Sequence, residues 1–498
     1  MIKIKNIEEL NVNDMYQLYN KILPVLEKRK ALHERYSRNA TDSNLMYPLN
    51  NEKTVVTFEK FITDLATGYL SGKPQYNVKD TYDEDKVKII EKLLKKPKKD
   101  SNYKKTMEIL IDYITGYNDD STENHDLIHD INELTSCYEI LYENENNEIV
   151  YSRYNPLETV AIWDYSIPSN LIGLVRAWEE KDINDKIYPM FEITDKNGTR
   201  TYNVLEDKKE VEEVDNQNHD WGDVPAIAVE NDYAIFEPCE AIIKAYEQLV
   251  QNTRNTYQYN DEAKLKVTGY APKEPLLINK NGQLIENPNR QKEDETLLKM
   301  KVFYTPDKDG DIEWIIKNID ANGVESMLKM YSDLVFQLAG IPNTSDLAFN
   351  SADLNASAID RKFYIMNMAT AGTIAQLKKA YQRRWELIFN RINLKNNTNF
   401  DFRDIEIELP KNLPANDDEK IDSTLKLQGV VSDQTLIEKL GFDYVNEKNR
   451  MEQESEDNFN ANLQNIQNIN KNQENTNDMQ EAKNDEEIEE EIKQEETE

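Results

Sequence analysis

The sequence predicts an α+β fold, mainly helical, with a β-rich body set between helical segments. Three observations predict it. Apolar residues recur at helical spacing up to about residue 115, alternate at strand spacing from about 135 to 230, and return to helical spacing in one long run from Ser357 to Ile392.

Residues 12–40 read as the first helix, with Met15, Leu18, Ile22 and Val25 on one face; Pro24 predicts a break or bend there. "VVTFEKFITDLATGYLSGKP" is the second. Phe58, Phe61/Ile62, Leu65 and Tyr69 keep one face, and Gly72 and Pro74 supply the stop. Residues 81–115 read as further helices interrupted by "KKPKK". Then the period changes. "YEILYENENNEIVYSRY" reads as two strands around an Asn-rich turn, and "TVAIWDY", "LIGLVRAWEE", "YPMFEITDKNGTRTYNV" and "VPAIAVEN" continue the β-rich part. Asn197-Gly198 predicts a two-residue hairpin turn.

Glu237-Pro238 opens a helix of about 28 residues, with proline in the first turn where it is tolerated. Ile242, Ala245/Tyr246, Leu249 and Val250 give it an apolar stripe, but "QNTRNTYQYNDEAK" is polar, so this helix is not wholly buried in its own chain. Residues 267–320 form an insert that reads as two hairpins, "PLLINKNGQLI" and "KVFYTPDKDGDIEWIIK", with Asn-Gly and Asp-Gly turns. A helix from Gly323 to Gly340 carries Val324, Leu328, Tyr331, Leu334/Val335 and Leu338 on one face.

The polar stretch "AGIPNTSDLAFNSADLNASAIDRKF" separates that helix from the longest one, Ser357 to Ile392. The long helix has Ile359, Phe363, Met366, Thr370, Ile374, Leu377, Tyr381, Trp385, Ile388 and Ile392 on its face. Ser357 with Asp360 fits a capping box, and Gly372, in mid-helix, is a candidate hinge. "FDFRDIEIELP" alternates as a strand through Ile405, Ile407 and Leu409, and short helices end near Arg450. Residues 451–498 have almost no aromatics and an acidic surplus, a composition that predicts disorder.

The chain of 498 residues has a formal net charge of -34. Such a surface repels other polyanions, which argues against tight sequence-read binding of free nucleic acid but is compatible with a surface that DNA slides past. Two cysteines, Cys137 and Cys239, make no disulfide framework and fit a reducing cytosol. The first residues lack the apolar core of a signal peptide, and no apolar run has membrane-spanning length.

The catalytic and metal motifs fall short. "GYLSGKP", Gly68 to Pro74, has three residues between its glycines where a phosphate loop has four, and Pro74 stands where a hydroxyl would bind magnesium; it reads as a helix end. His125 and His129 in "HDLIHD" have metal-ligand spacing, but Asp126 stands where a zincin has its general-base Glu, so they read as ordinary helix surface or packing. "DKDGD", Asp307 to Asp311, has its glycine too early for a calcium loop and reads as a turn. The lysines between Lys95 and Lys99 read as a solvated connection, and both cysteines as structural. No nucleophile elbow occurs. These readings predict a protein that is not an enzyme, with no catalytic residue, no metal site and no cofactor.

The order of elements, by contrast, is specific. "VTFEKFITDLATGYLSGKP" resembles the helix ending in Tyr-x-x-Gly-Lys-Pro of bacteriophage portal proteins from long-tailed (siphovirus-type) phages of Gram-positive bacteria. "TSCYEILYENENNEIVYSRYNPLETVAIWD" resembles that family's strand pair followed by an aspartate-ending strand, "LIGLVRAW" its Gly-x-x-Arg strand, and "AGIPNTSDLAFNSADLNASAIDRKF" its Pro-to-Phe segment before the long helix. The similarity runs over nearly all of residues 50–450. Two departures occur: Asn355-Ala356-Ser357 replaces the usual Ser-Gly, and Thr135-Ser136-Cys137 replaces a small-Gly-x-Ala pattern.

The resemblance implies a homo-oligomeric ring, usually of twelve subunits, at one vertex of the virion capsid, assembled in the host cytoplasm. Double-stranded DNA would pass through its axis without sequence-specific contact. The implied partners are the terminase large subunit (the motor that hydrolyses ATP), the major capsid and scaffold proteins, and a head-completion or connector protein; no membrane is involved. It also implies a division of the chain. Residues 1–236 with the helix 357–395 form a wing, 237–266 and 321–341 stem helices, 267–320 a small α/β clip, 342–356 a tunnel loop, and 396–450 a wing strand and helical crown, before the acidic tail at 451–498. The tunnel loop would then face DNA with Asn343, Thr344, Ser345, Asp346, Asn350, Ser351, Asp353 and Asn355. These include no cation that could trap phosphate. Phe349 would anchor the loop. The acidic tail alone is also compatible with a different class, a non-enzymatic scaffold or adaptor of another assembly.

Overall fold

The computed structural model describes residues 1–38, 55–79, 103–205, 207–261, 263–269, 274, 276–299, 302–305, 311–343, 363–412, 421, 424–442, 444 and 447–455. The chain divides into two units, Met1–Ala352 with Asp360–Leu413, and Asp353–Ile359 with Pro414–Glu498. It is a mixed helix-and-strand protein, as the periodicity predicts.

The first unit opens with β1 (Ile2–Lys3), α1 (Val12–Tyr36), α2 (Phe58–Leu70), β2 (Gln75–Val78), α3 (Tyr103–Tyr117) and α4 (Asp120–Leu134). Asn11 and Asp14 close a reciprocal capping box at the start of α1. Pro24 sits inside α1 without interrupting it, which overturns the expected break. Pro24 and Asn20, whose carbonyl loses its partner, both lie on the exposed side, where water replaces the missing bond. The opposite face, Met15, Leu18, Ile22 and Leu26, is buried.

The β-rich body comprises β3 (Ser136–Glu143), β4 (Ile149–Tyr154), β5 (Thr159–Trp163), β6 (Leu171–Lys181), β7 (Ile187–Thr194), β8 (Gly198–Leu205), β9 (Glu210–Asn218) and β10 (Ala226–Glu230). One sheet runs β1-β5-β6-β7-β8-β9 and a second runs β10-β3-β4; only the β1–β5 pairing in them is parallel. Strand alternation covers both faces of the larger sheet. Val160, Ile162 and Val175 pack beneath α1, while Ala161, Leu171 and Leu174 pack against Tyr138, Ile140 and Ala226 of the second sheet.

Two details differ from expectation. The hairpin loop between β7 and β8 is Lys196-Asn197, one residue earlier than Asn197-Gly198. Asp195 N–H donates to Gly198 O at 3.0 Å, and Gly198 already pairs with Asn218. Glycine is needed there for close approach: a Cβ would meet the Gln217 carbonyl oxygen at 2.4 Å. The acidic strand β9 gives no alternation to read, because it is an edge strand with Val211 alone buried.

Pro238 lies in a short 3-10 turn, Glu237–Cys239, that leads into α5 (Glu240–Asp261). The insert then contains β11 (Lys264–Thr268), β12 (Leu276–Ile278), β13 (Leu284–Glu286), α6 (Pro288–Lys299), β14 (Val302–Thr305) and β15 (Ile312–Ile315). The β12–β13 hairpin forms as predicted, with Gly282 at φ +76° closing its loop. The second predicted hairpin does not form. β11 lies between β14 and β15, parallel to the first and antiparallel to the second. Its first residues, Lys264 and Leu265, fall in the helix predicted from Glu237, and its last, Val267 and Thr268, in the predicted insert. The Asp-Gly turn assigned to that hairpin, at 309–310, lies outside the described residues.

Next come α7 (Ala321–Ala339) and α8 (Tyr364–Asn396). The predicted face of α7 holds at Val335, but Leu338 is exposed and Phe336 and Ala339 are buried instead. On α8 the predicted positions Phe363, Met366, Thr370, Leu377, Tyr381, Trp385 and Ile388 are buried. Ser357, Ile359 and Asp360 lie outside the described residues. β16 (Ile405–Glu408) pairs antiparallel with β2, so a late strand is stitched to an early one. In the second unit, α9 (Asp433–Leu440) starts at Ser432, whose hydroxyl accepts the Thr435 N–H at 3.3 Å. The predicted disordered tail begins at Met451, but residues 447–455 are helical; the rest of the tail, 456–498, lies outside the described residues.

Candidate functional site

Two helix ends flank the predicted tunnel loop, and both are fixed. Gly340 takes φ +68° at the end of α7, and a Cβ on it would meet Ala369 Cβ of α8 at 2.8 Å. Ile341 is buried, and its N–H returns to Phe336 O at 2.9 Å. Asn343 follows, its amide donating to Asp333 at 3.3 Å. On the far side Phe363 is buried and stacks on Tyr69 at 4.9 Å. Thr344, Ser345, Asp346, Phe349, Asn350, Ser351, Asp353 and Asn355 lie outside the described residues, so of the residues predicted to face DNA the structure places Asn343 alone.

Beside these ends, α7, α8 and the segment before α5 enclose a cleft of about 850 Å³, lined among others by Tyr233, Leu338, Gly340, Met368 and Gly372. Gly372 lies within continuous helix, exposed, with open space where a Cβ would stand.

The two helices α5 and α7 pack side by side and are tied to the body by charge and aromatic contacts. Buried Glu59 receives Arg35 at 3.3 Å and Arg38 at 2.7 Å. Arg35 also reaches Glu240 at 2.8 Å, and Arg38 reaches Glu247 at 3.3 Å. Phe336 meets Phe58 and Phe61 edge-on. Beyond this junction α5 is sparsely covered, with Ile243 its single buried residue among the described ones.

The residue that sequence reading missed is Arg384. Its side chain is fully buried, with Nε and one terminal nitrogen on Glu139 at 2.7 and 2.5 Å and the other terminal nitrogen on Asp120 at 2.7 Å. Tyr151 and Tyr381 lie on the guanidinium at 4.3 and 4.2 Å. Tyr76 and Tyr151 hydroxyls both donate to Asp120 at 2.9 Å. Burial pushes the Glu139 carboxyl up, opposed by the Arg384 charge. This cluster joins α8 to α4, β2, β3 and β4. The signal that could have found it is positional: Arg384 sits next to Trp385 and three residues after Tyr381, inside the predicted buried face.

Of the motifs dismissed above, the lysines at 95–99 and residues 307–310 lie outside the described residues; the histidines and cysteines have ordinary surroundings. His129 contacts the Tyr36 hydroxyl at 3.1 Å and Glu133 at 3.4 Å, and burial pulls its pKa below the usual histidine value. Cys137 and Cys239 are buried free thiols; burial pushes the latter up to about 11. No group of metal-ligating side chains stands together among the described residues. Among these residues no helix is long and apolar enough to cross a membrane.

Comparison with known proteins gives a family. The model for "Phage portal protein, SPP1 Gp6-like" matches residues 3–488. No curated protein matches the chain. Solved structures that are similar include the neck of a native GTA particle computed with C12 symmetry, at 10% identity and TM-score 0.34, covering 81% of this chain and 97% of that one. The neck of an empty GTA particle computed with C6 symmetry matches at 10% identity and TM-score 0.34, covering 83% and 94%.

Proposed function

This chain belongs to the SPP1 Gp6-like phage portal protein family, and from that premise we propose that it assembles into a closed ring at one capsid vertex. The axial channel of that ring passes double-stranded DNA during packaging and ejection. The ring docks the terminase large subunit, sits within the major capsid protein built with its scaffold, and later receives a head-completion connector. The motor hydrolyses ATP; this chain is the conduit, in a long-tailed phage of a Gram-positive host. Twelve copies close the ring.

In this reading α5 and α7 are the stem, residues 267–320 the clip, α8 and the β-rich body the wing, and residues 342–356 the loop that faces DNA. The observation that carries it is the incomplete burial of the stem. A helix of 22 residues with one buried side chain leaves the rest of its apolar stripe, Ile242, Ala245/Tyr246, Leu249 and Val250, only half-buried, with surface over for a neighbouring copy. The loop supports it too: the chain is held at Gly340–Ile341 and at Phe363, and the polar residues of 342–356 include carboxylates but no cation that would retain phosphate, Arg361 and Lys362 standing next to the second hold.

Negative-stain imaging of the purified protein should show rings with a countable symmetry. A stable monomer at high concentration in the presence of scaffold protein would sink the proposal. Deleting residues 344–354 should leave rings intact and block DNA packaging; normal packaging by that variant removes the loop from the mechanism.

A further inference from the structure

The insert exposes more aliphatic surface than a small sheet can carry alone. In the β12–β13 hairpin the opposed pairs Leu277/Ile285 and Ile278/Leu284 fall on opposite faces, and all four side chains are exposed. An isolated two-stranded hairpin is marginal in water, and one with apolar groups on both faces needs cover on both. A second uncovered surface lies on the three-stranded sheet. Ile312 and Trp314 stand opposite Val267 and Leu265, which makes one face apolar. Ile312, Trp314 and the following Ile316 are each more than 60% exposed along the free edge of β15. The other face carries Lys266, paired to Glu313 at 2.8 Å, beside the half-buried Ile315.

Charge decides what can cover them. Residues 264–317 contain ten Lys/Arg and nine Asp/Glu, within a chain of net charge -34. The insert is therefore a nearly balanced part of a molecule that is strongly acidic as a whole. A second insert can approach it without the repulsion that opposes contact between the acidic remainders, and it offers little field to a highly charged partner.

We propose that the hairpin β12–β13 of one copy docks on the Ile312–Trp314–Ile316 edge of the next copy, so that the insert is completed between chains. The two surfaces differ, so the contact is heterologous: each copy gives a hairpin to one neighbour and takes one from the other. It also removes an open, apolar strand edge that would otherwise invite aggregation. This inference deepens the ring reading and rests on it.

The test uses two full-length variants, I278D/L284D in the hairpin and I312D/W314D on the edge. All four side chains are exposed, so the single chains should keep the parent's thermal midpoint. Each variant alone should need at least about 100-fold more protein to assemble, read by mass photometry. A 1:1 mixture should form dimers that neither variant forms alone, because one intact contact remains possible. I183D, at a position 99% exposed in the β6–β7 loop, should assemble like the parent. If both double variants form parental rings, the surfaces are free in the ring and await a different protein, and the inference is wrong while the ring stands. A parent that never forms rings removes the ring reading as well.

Discussion

The β-rich body and the α5–α7 pair with its insert handle apolar surface in opposite ways. In the body, α1 and the smaller sheet cover both faces of the larger sheet, and the buried cation Arg384 is matched by Glu139 and Asp120. On α7 and in the insert, Met327, Met330, Leu277, Ile278, Ile312 and Trp314 face solvent. The same sequence thus closes one region within a single chain and leaves the other open. A core completed in one chain sets the stability of the subunit, whereas surface left open sets its association.

The largest effect should come from breaking the closed region. Arg384→Met leaves two buried carboxylates without their cation and should cost about 3–5 kcal/mol in urea unfolding. A variant within about 1 kcal/mol of the parent would mean the cluster does not hold α8 to the body. The open region should respond in the reverse manner. M327S/M330S should change subunit stability by no more than about 0.5 kcal/mol, because both side chains are exposed, yet weaken ring formation. Equal rings at equal concentration would show that this face of α7 has no partner.

A smaller effect separates the regions by pH. Arg391 and Lys395 hold the Glu143 carboxyl down at about 2, below its ordinary 4.5. The unfolded chain then binds the proton first as pH falls. The pair's contribution is complete above about 4.5 and disappears as pH falls to about 2. Glu143→Gln should flatten that acid limb of subunit stability; an unchanged limb would assign it to other carboxylates. The smallest change is Gly372→Ala. With open space at the Cβ position, it should raise helix stability by about 0.5–1 kcal/mol. If α8 bends there during translocation, the same variant should lower packaged-virion yield; full yield disposes of the hinge.

Legibility followed the range of the interaction. The buried face of α8 was readable from Phe363 to Ile388 because a helix repeats its environment every three or four residues. The Leu276–Glu286 hairpin was readable because Gly282 needs its left-handed backbone within the same few residues. Pro24 misled because its consequence depends on which side of α1 meets water. β11 was missed because five residues do not announce a partner thirty or more residues away, and β9 because an edge strand has no buried face to alternate.

The sequence by itself determined most helices, most strands, the charge surplus and a polar stretch, residues 342–356, without a cation. These are properties of neighbouring residues, and local sterics and periodicity suffice for them. The tertiary structure alone decided that β16 pairs with β2, that β11 lies between β14 and β15, and that Arg384 is buried rather than solvated. Each of these depends on groups far apart in the chain. A guanidinium can be buried only where carboxylates from other elements converge on it, and no local pattern records that convergence.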